Sequence, residues 1–540
     1  MKALRVRQLA QQELDRAPAE HREWIEGYTA GYNLYLREAG AAQVKGWCQG
    51  EPWVQEITAA DVVAYRRMLG LTAPRFATMI ATAQPPASAN EIPSASGGGS
   101  TAAAASASRP RHDELADAMD AQLASNGWAI GSERSESGGG MLVANPHYPW
   151  EGSNRFWEKH LTIPGRLDGY GVSLLGAPGI SIGFNANVAW THTVSAGQRH
   201  TLYRLRLADD DPTVYLYDGE RRPMRKETVE VEVLGDDGAT KAETRIVWFS
   251  HYGPILDWPD LPWTARSAIT YRDANEANDD STATYLAMIE ARDMDQFQKA
   301  HEELQGILFV NTIAASSDGR AWYADVSAAP NLSEATVAAW RERLAGDAAA
   351  RDLYDKRGMI LLDGSSSRDE WVADDRARDA GVAPYAAVPK LERRDYVFNA
   401  NDSYWTPHAQ ERLEGFSPAH GAERAVRSLR TRQNMTTLSD LSPTGPAGED
   451  GKWSLAEIEA AALSNRSFTA KLLLPELVER CRATPLARVD GKKVDLARAC
   501  EVLAGYDGKL DLDSKGAVLF REWITRYELT DLRGKGALYA

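Results

Sequence analysis

Between residues 127 and 275 one strand pattern follows another with no helical pattern in between. Residues 128–133 and 141–144 flank the turn Ser135-Glu136-Ser137-Gly138-Gly139-Gly140. Segments 156–163, 169–175 and 180–184 come next, and an Asn185-Ala186-Asn187 turn leads into Val188-Ala189-Trp190-Thr191-His192-Thr193-Val194. Thr228-Val229-Glu230-Val231-Glu232-Val233 alternates strictly, as a strand with one wet face requires. Strands joined by short turns pair antiparallel, because a parallel pair needs a crossover of about a dozen residues or more. The centre of this chain is therefore antiparallel sheet.

Helical patterns flank that centre. Residues 14–36 carry Trp24, Ile25, Tyr28, Tyr32 and Leu36 at helical spacing, and a second helix is predicted from Ala59 to about residue 80, after a loop at 47–53. A long amphipathic helix is predicted over 285–304, then a strand pair around 306–324. Residues 331–395 read as loop-rich and charged. Residues 396–405 form a strand running into the polar loop Asn399-Ala400-Asn401-Asp402-Ser403, and helices dominate from 422 to about 532. Sheets flanked by helices give an α/β (α+β) fold with helices on the outer faces. No internal repeat is found.

The chain divides into a helical segment 1–82, a spacer 83–124, and a long segment 125–540 that is β-rich to 330, loop-rich to 420 and helical beyond. The spacer holds Pro85-Pro86, Ser96-Gly97-Gly98-Gly99-Ser100 and an alanine-serine run to Pro110. Such composition buries too little apolar surface to offset its ordering entropy. It reads either as an interdomain linker or as a tether between an early helical chain and a later catalytic one. A short helical run, 112–123, leads from it straight into Ser125.

Composition excludes some functions. With 61 basic against 76 acidic residues the formal charge is −15, which opposes binding to phosphate backbones or acidic membrane surfaces. No apolar run approaches the roughly 20 residues that span a bilayer. The amino end, Met1-Lys2-Ala3-Leu4-Arg5-Val6-Arg7, lacks the apolar core of a signal peptide. Cys481 and Cys500 bracket a connection between helical stretches and are either paired, if the protein is exported, or reduced core residues; Cys48 has no evident partner.

The usual chemical motifs are missing. No Gly-x-Ser-x-Gly elbow, phosphate loop, dinucleotide fingerprint or His-Glu-x-x-His occurs, and no metal or cofactor is expected. Asp511-x-Asp513 with Glu522 mimics a calcium loop, but Lys515 stands where a ligand oxygen belongs, and Asp513 or Ser514 is a natural cap for a helix after residue 517.

What remains is Ser125. A serine hydroxyl needs a base, and an α-amino group with a pKa near 7.7–8.0 is one. Cutting between Ala124 and Ser125 creates nucleophile and base on one residue. Two rivals stay open. One is an uncut serine hydrolase with His147 or His192 as base; the other is a binding protein or inactive remnant.

Several stretches resemble the penicillin acylase family of N-terminal-nucleophile hydrolases. They are Ser125-Asn126-Gly127-Trp128, Ala144-Asn145-Pro146-His147-Tyr148-Pro149-Trp150, Leu161-Thr162-Ile163-Pro164-Gly165-Arg166, Ile182-Gly183-Phe184-Asn185, Ala189-Trp190-Thr191-His192-Thr193-Val194 and Asn399-Ala400-Asn401-Asp402-Ser403-Tyr404-Trp405. Their wording is similar to the branch of acyl-homoserine lactone acylases and aculeacin A acylase. Residues 20–70 resemble the end of the family's small chain.

The resemblance implies a four-layer αββα core with a helical elaboration, and two chains that stay associated after self-cleavage. It makes Ser125 the nucleophile and base and His147 the residue that positions it and takes part in self-cleavage. The Val194 N–H and the Asn401 amide become the two oxyanion donors, with Asn399 as the competing assignment for Asn401. Arg424 supports the site, and Tyr148, Trp150 and Trp190 line the acyl pocket. The substrate is a small N-acyl amide, most simply an N-acyl-homoserine lactone or fatty amide, then an acylated lipopeptide or β-lactam side chain. The setting is periplasmic or secreted.

Three departures stand out. Ala124 replaces the glycine common before the cut. Ser195-Ala196-Gly197-Gln198-Arg199-His200 lacks the aspartates that hold calcium in penicillin G acylase. Against the family's usual leader and longer ends, the chain reads as truncated at both ends.

Overall fold

The computed structural model describes residues 1–46, 48–86, 124–152, 154–235 and 238–526. The helix expected over 112–123 lies outside them.

Two sheets stacked face to face carry the site. In the first, β1 (Ala124–Ile130) lies between β2 (Met141–His147) and β18 (Tyr396–Asn399), antiparallel to both. The second has seven strands in the order β17 (Lys390–Arg393), β15 (Ala321–Ala324), β14 (Val310–Ser316), β6 (Val188–Val194), β5 (Ile182–Phe184), β4 (Leu167–Leu174) and β3 (Phe156–Ile163). Side chains alternate across β1. Ala129 packs inward among Ile313, Ala315, Tyr323 and Val397. Trp128 and Ile130 point outward against Leu438 of α9 (Leu429–Ser439) and Ile458 of α10 (Leu455–Ala462). The far face of the seven-stranded sheet packs Trp190, Ala314 and Trp322 against Met288 and Ile289 of α5 (Ser281–Glu290) and Met294 and Phe297 of α6 (Met294–Leu304). Helix, sheet, sheet, helix is the four-layer order expected of this chain.

Gly127 sets how closely the sheets approach. A Cβ there would lie 2.9 Å from Thr191 Cγ2 and 3.1 Å from Ile313 Cδ1. The chain needs a residue without a side chain at this crossing.

A six-stranded sheet stands beside the sandwich. Its path runs β12 (Ile255–Leu256), β13 (Ser267–Asp273), β7 (His200–Ala208), β8 (Asp211–Tyr217) and β9 (Glu220–Pro223), with β16 (Leu361–Asp363) parallel to β7. The alternating segment around residue 230 is β10 (Arg225–Leu234), paired over its length with β11 (Thr240–Phe249).

The amino-terminal helices form α1 (Val6–Arg16), α2 (Ala19–Ala39), α3 (Ala59–Gly70) and α4 (Ala77–Thr82). Pro18 caps α2 and divides the early helical pattern in two, since proline cannot donate inside a helix. Thr58 and Asp61 close a capping box on α3. These helices dock on the β-rich part through charge and rings. Arg66 and Arg67 meet Glu13, Arg67 also meets Asp279 at 2.5 Å, and the Thr72 N–H donates to Asp273 at 2.6 Å. Phe76 stands edge-on to His200, Trp258 and Tyr271.

Other sequence expectations need correction too, first the helix from Ala59 to about residue 80, which is the two helices α3 and α4. The helix over 285–304 is two, because Asp293 caps α6 by accepting from the Gln296 N–H at 2.7 Å. Residues 331–395 hold two real helices, α7 (Glu334–Gly346) and α8 (Ala348–Arg357), capped by Ser333 and Asp347. The carboxy-terminal helices α11 (Phe468–Ala483) and α12 (Ala497–Ala504) are separated by a hairpin, β19 (Leu486–Val489) and β20 (Lys492–Asp495), turning at Asp490-Gly491 with both φ positive. Helix α13 (Ala517–Ile524) starts at Gly516 with no side-chain cap. Cys481 and Cys500 are disulfide-bonded across the hairpin, and Cys48 is free. Among the described residues no helix is long and apolar enough to cross a membrane.

Candidate active site

Ser125 is fully buried on β1, and each of its polar atoms is engaged. Its hydroxyl donates to the carbonyl oxygen of Ala124, across the bond expected to break. Opposite it on β2 stands Pro146, tolerated there because the Ser125 N–H and C=O face the other side of β1. There the β1–β18 ladder has ended at Gly127 and Asn399. The next position opposite Ser125 is Asn401, whose φ of 63° lifts it out of the strand. Its side-chain Oδ1 accepts the Ser125 N–H at 2.5 Å in place of a backbone carbonyl. Arg430 supplies the complementary donor, to the Ser125 carbonyl oxygen.

The Asn401 Nδ2 donates to the Val194 carbonyl oxygen at 3.0 Å. Val194 is the last residue of β6, paired with Val310. The next residue, Ser195, donates its N–H to Phe309 at 3.0 Å, so the 194/310 pair is the kind whose own N–H and C=O point away from the shared ladder. On the other flank β5 pairs only as far as Trp190. The Val194 N–H and C=O therefore face the same way, towards Asn401 and the Ser125 end of β1. Asn401 keeps a second N–H. Asn401 thus bridges the Ser125 N–H and the Val194 carbonyl.

Asn399 is not in that position. Its Oδ1 accepts from the Thr193 hydroxyl at 2.6 Å and the Asn401 N–H at 2.8 Å, and its Nδ2 donates to the Asp402 carbonyl at 3.0 Å. It braces the loop from below.

Arg424 is away from the serine as well. It pairs with Glu414 at 2.7 Å, and its side chain is 76% exposed. The cation beside Ser125 is Arg430, missed in the sequence. It sits in the first turn of α9, whose start Ser428 caps by accepting from the Thr431 N–H while donating its own N–H to Asp402 at 2.9 Å. That ties the helix to the Asn401 loop and sends Arg430 and Asn434, one turn apart, towards β1. Arg430 donates to Asn401 Oδ1 at 2.8 Å and to Asn126 Oδ1 at 3.2 Å; Asn434 donates to Asn126 Oδ1 at 2.7 Å. Four arginines in the nine residues 424–432 were a signal of charge density, but not of direction.

His147 pairs in register with Ala124, across the strand pair from the Ala124–Ser125 bond. Its Nε2 lies 2.9 Å from Asn145 Oδ1 and 3.4 Å from Asn126 Nδ2. Burial, then the nearby Arg430 charge, holds its pKa below the usual histidine value, so the ring is neutral around pH 7. His192, the rival base, is buried in the helix-side core with its Nδ1 3.0 Å from the Asn311 carbonyl and its pKa pushed down to about 4 by burial.

Of the three expected pocket aromatics, only Tyr148 is half-buried near the site, its ring 4.7 Å from that of Phe156 and its phenol pushed up to about 12 by burial. Trp150 is 90% exposed. Trp190 is sealed in the sheet–helix core against Phe297, donating its Nε1–H to Ser181 at 2.7 Å. Among the described residues no group of three or more His, Cys, Asp or Glu side chains is placed to hold a metal ion.

Comparison with known proteins places the chain as a whole. The family model described as "Penicillin amidase" matches residues 1–532. An acyl-homoserine lactone acylase, PvdQ, of Pseudomonas fluorescens is 37% identical over 504 residues, covering 92% of this chain and 60% of that protein. Aculeacin-A acylase of Actinoplanes utahensis is 35% identical over 535 residues, covering 96% of this chain and 65% of that protein. The chain thus spans about three-fifths to two-thirds of the length of these relatives. In structure it is similar to a thermostable penicillin G acylase from Alcaligenes faecalis, with a TM-score of 0.50 at 17% identity over 74% of this chain and 63% of the other, a likeness of fold.

Proposed function

The chain belongs to the penicillin amidase family, and from that premise we propose that it is an amide hydrolase that matures by cutting itself between Ala124 and Ser125. The observation that carries this is the Ser125 hydroxyl seated on the Ala124 carbonyl, with the Asn401 side chain bridging the Ser125 N–H and the Val194 carbonyl. In self-cleavage the Ser125 oxygen attacks the Ala124 carbonyl carbon, the Ala124–Ser125 C–N bond breaks to leave an ester, and water hydrolyses it. The freed amine then accepts the Ser125 proton when the hydroxyl attacks a substrate amide. The Val194 N–H and the second Asn401 N–H hold the oxyanion. The protonated amine product leaves, and water clears the acyl-enzyme.

Arg430 draws electron density from Asn401 Oδ1 and keeps the Asn401 NH2 turned to Val194. The amino-terminal chain stays attached through Arg67–Asp279, the Thr72–Asp273 bond and the Phe76 ring cluster.

Similarity to the acyl-homoserine lactone acylases favours an N-acyl-homoserine lactone or related fatty amide as substrate, consumed in quorum quenching. The aculeacin-A relative supports that compound's acyl group as the second choice. The Cys481–Cys500 bond fits a periplasmic or secreted setting.

The test pairs intact-mass analysis with release of free homoserine lactone from short and long N-acyl forms. The parent gives two fragments, one starting at Ser125, and turns over; Ser125→Ala gives one chain of 59.3 kDa and no turnover. Equal release by both proteins overturns the proposal.

A further inference from the structure

During self-cleavage Ser125 has no free amine, because its nitrogen is still in the peptide bond. Any group that takes its proton at that stage must come from elsewhere, and the neutral ring of His147 stands in register with Ala124 across the strand pair. Which ring nitrogen carries the lone pair then matters, and a chain of side-chain amides sets it.

The chain starts at Arg430, which can only donate. Its guanidinium and the Asn434 Nδ2 both meet the same atom of Asn126, at 3.2 and 2.7 Å, so that atom is the oxygen. The Asn126 NH2 is thereby turned towards β2, where it lies 3.0 Å from the side chain of Asn145. Facing a donor, Asn145 presents its oxygen. That oxygen is also 2.9 Å from His147 Nε2. A lone pair on Nε2 would make this short contact repulsive, and the alternative partner, Asn126 Nδ2, is at 3.4 Å, beyond good hydrogen-bond distance. Nε2 therefore carries the proton.

We infer that Asn126 is a positioning residue that passes the donor-only polarity of Arg430 through Asn145 to His147, locking the imidazole with Nε2–H and a lone pair on Nδ1. The inference rests on the self-cleaving reading of Ser125 for its purpose, but not for its geometry. Without Asn126, His147 is the one side-chain partner left to the Asn145 amide among the described residues, and both orientations, hence both tautomers, become accessible. An aspartate at 145 offers oxygen in either orientation and restores the lock.

The test is ¹H–¹⁵N correlation of the histidine rings in the full chain carrying Ser125→Ala, which stays uncut, with the His147 signals identified by their loss in His147→Gln. The expected result is a single Nε2–H tautomer, a mixture of tautomers in Asn126→Ala, and the single tautomer again in the Asn126→Ala/Asn145→Asp pair. In the Ser125 background, self-cleavage slows at least tenfold in Asn126→Ala and recovers in the pair.

An Nδ1–H tautomer in the parent overturns the inference, as does an unchanged tautomer in Asn126→Ala. If Asn126→Ala fails to fold, the parent spectrum and Asn145→Asp alone, which must keep Nε2–H, still decide it. A Ser125 chain that never cuts and releases no acyl product defeats the proposed function, while the ring spectra judge this inference separately.

Discussion

Asn401 stands where the β1–β18 ladder would place the partner of Ser125, yet it meets the serine through its side chain. Its left-handed backbone, φ 63°, turns a ladder position into an amide with one face on Ser125 and the other on Val194. Backbone and side chain can be separated by substitution, because glycine keeps that conformation freely. Asn401→Gly should fold and lose about 2.7–4 kcal/mol of transition-state stabilisation, a fall in kcat of about 10²–10³. Steady-state kinetics on the matured protein checks this. A kcat within threefold of the parent removes Asn401 from the oxyanion site.

Gly127 makes a second, purely structural prediction. An added methyl there meets Thr191 and Ile313, so Gly127→Ala should destabilise by about 1–3 kcal/mol through overpacking. Ile313→Val removes one of the colliding carbons. The double variant should therefore be more stable than the sum of the two single effects, a coupling seen in urea midpoints. Strict additivity would show that the sheets have room to spare.

The fold was legible where periodicity decides it. The succession of strands between residues 127 and 275 and the amphipathic outer helices carry their faces in the sequence, and the observed layers follow. Helices α7 and α8 were lost because both are short and rich in alanine, with two buried residues each, so no clear apolar stripe marks them. The Asp490-Gly491 hairpin was overlooked although that dipeptide is a strong turn signal. The site was legible only in part. Asn401 and Val194 lie in motifs, but the partnership of Ser125 with Arg430 spans 305 residues and depends on how α9 is aimed. Trp190 and Trp150 illustrate the same limit, since an aromatic residue in a motif does not announce whether it faces a core, a cavity or solvent.

Four buried histidines predict acid sensitivity. Burial holds His192 and His420 at about 4, and His200 and His301 at about 3, below the ordinary value of about 6.5. With folded pKa values depressed, the unfolded chain binds more protons below pH 6.5, so stability is full above that pH and falls as pH drops towards 4. The limiting slope is about 1.4 kcal/mol per pH unit for each histidine. Buried Asp273 and Glu13, whose carboxyls are raised by burial, oppose part of this. Thermal unfolding should thus show Tm dropping steeply between pH 6.5 and 4.5, with a shallower drop in His301→Gln. A flat Tm across that range contradicts buried neutral rings.

The last prediction sets two arginines six residues apart against each other. Arg430 reaches the Ser125 carbonyl, Asn126 and Asn401 at once, a spread that only a planar guanidinium can cover. Arg430→Lys keeps the charge but loses the contact made by the second guanidinium nitrogen, to Asn401. At about 1.5–3 kcal/mol for a hydrogen bond to a charged group, kcat should fall roughly 10- to 150-fold. Among the described residues the Arg424 guanidinium hydrogen-bonds Glu414 at the surface, so Arg424→Lys should leave kcat within twofold. Measuring both variants side by side separates the guanidinium that the fold aims at Ser125 from the one that the sequence motif suggested. If Arg424→Lys is the more damaged of the two, the loop after residue 401 must rearrange in the working enzyme, and the geometry around Ser125 described here belongs to the uncut chain alone.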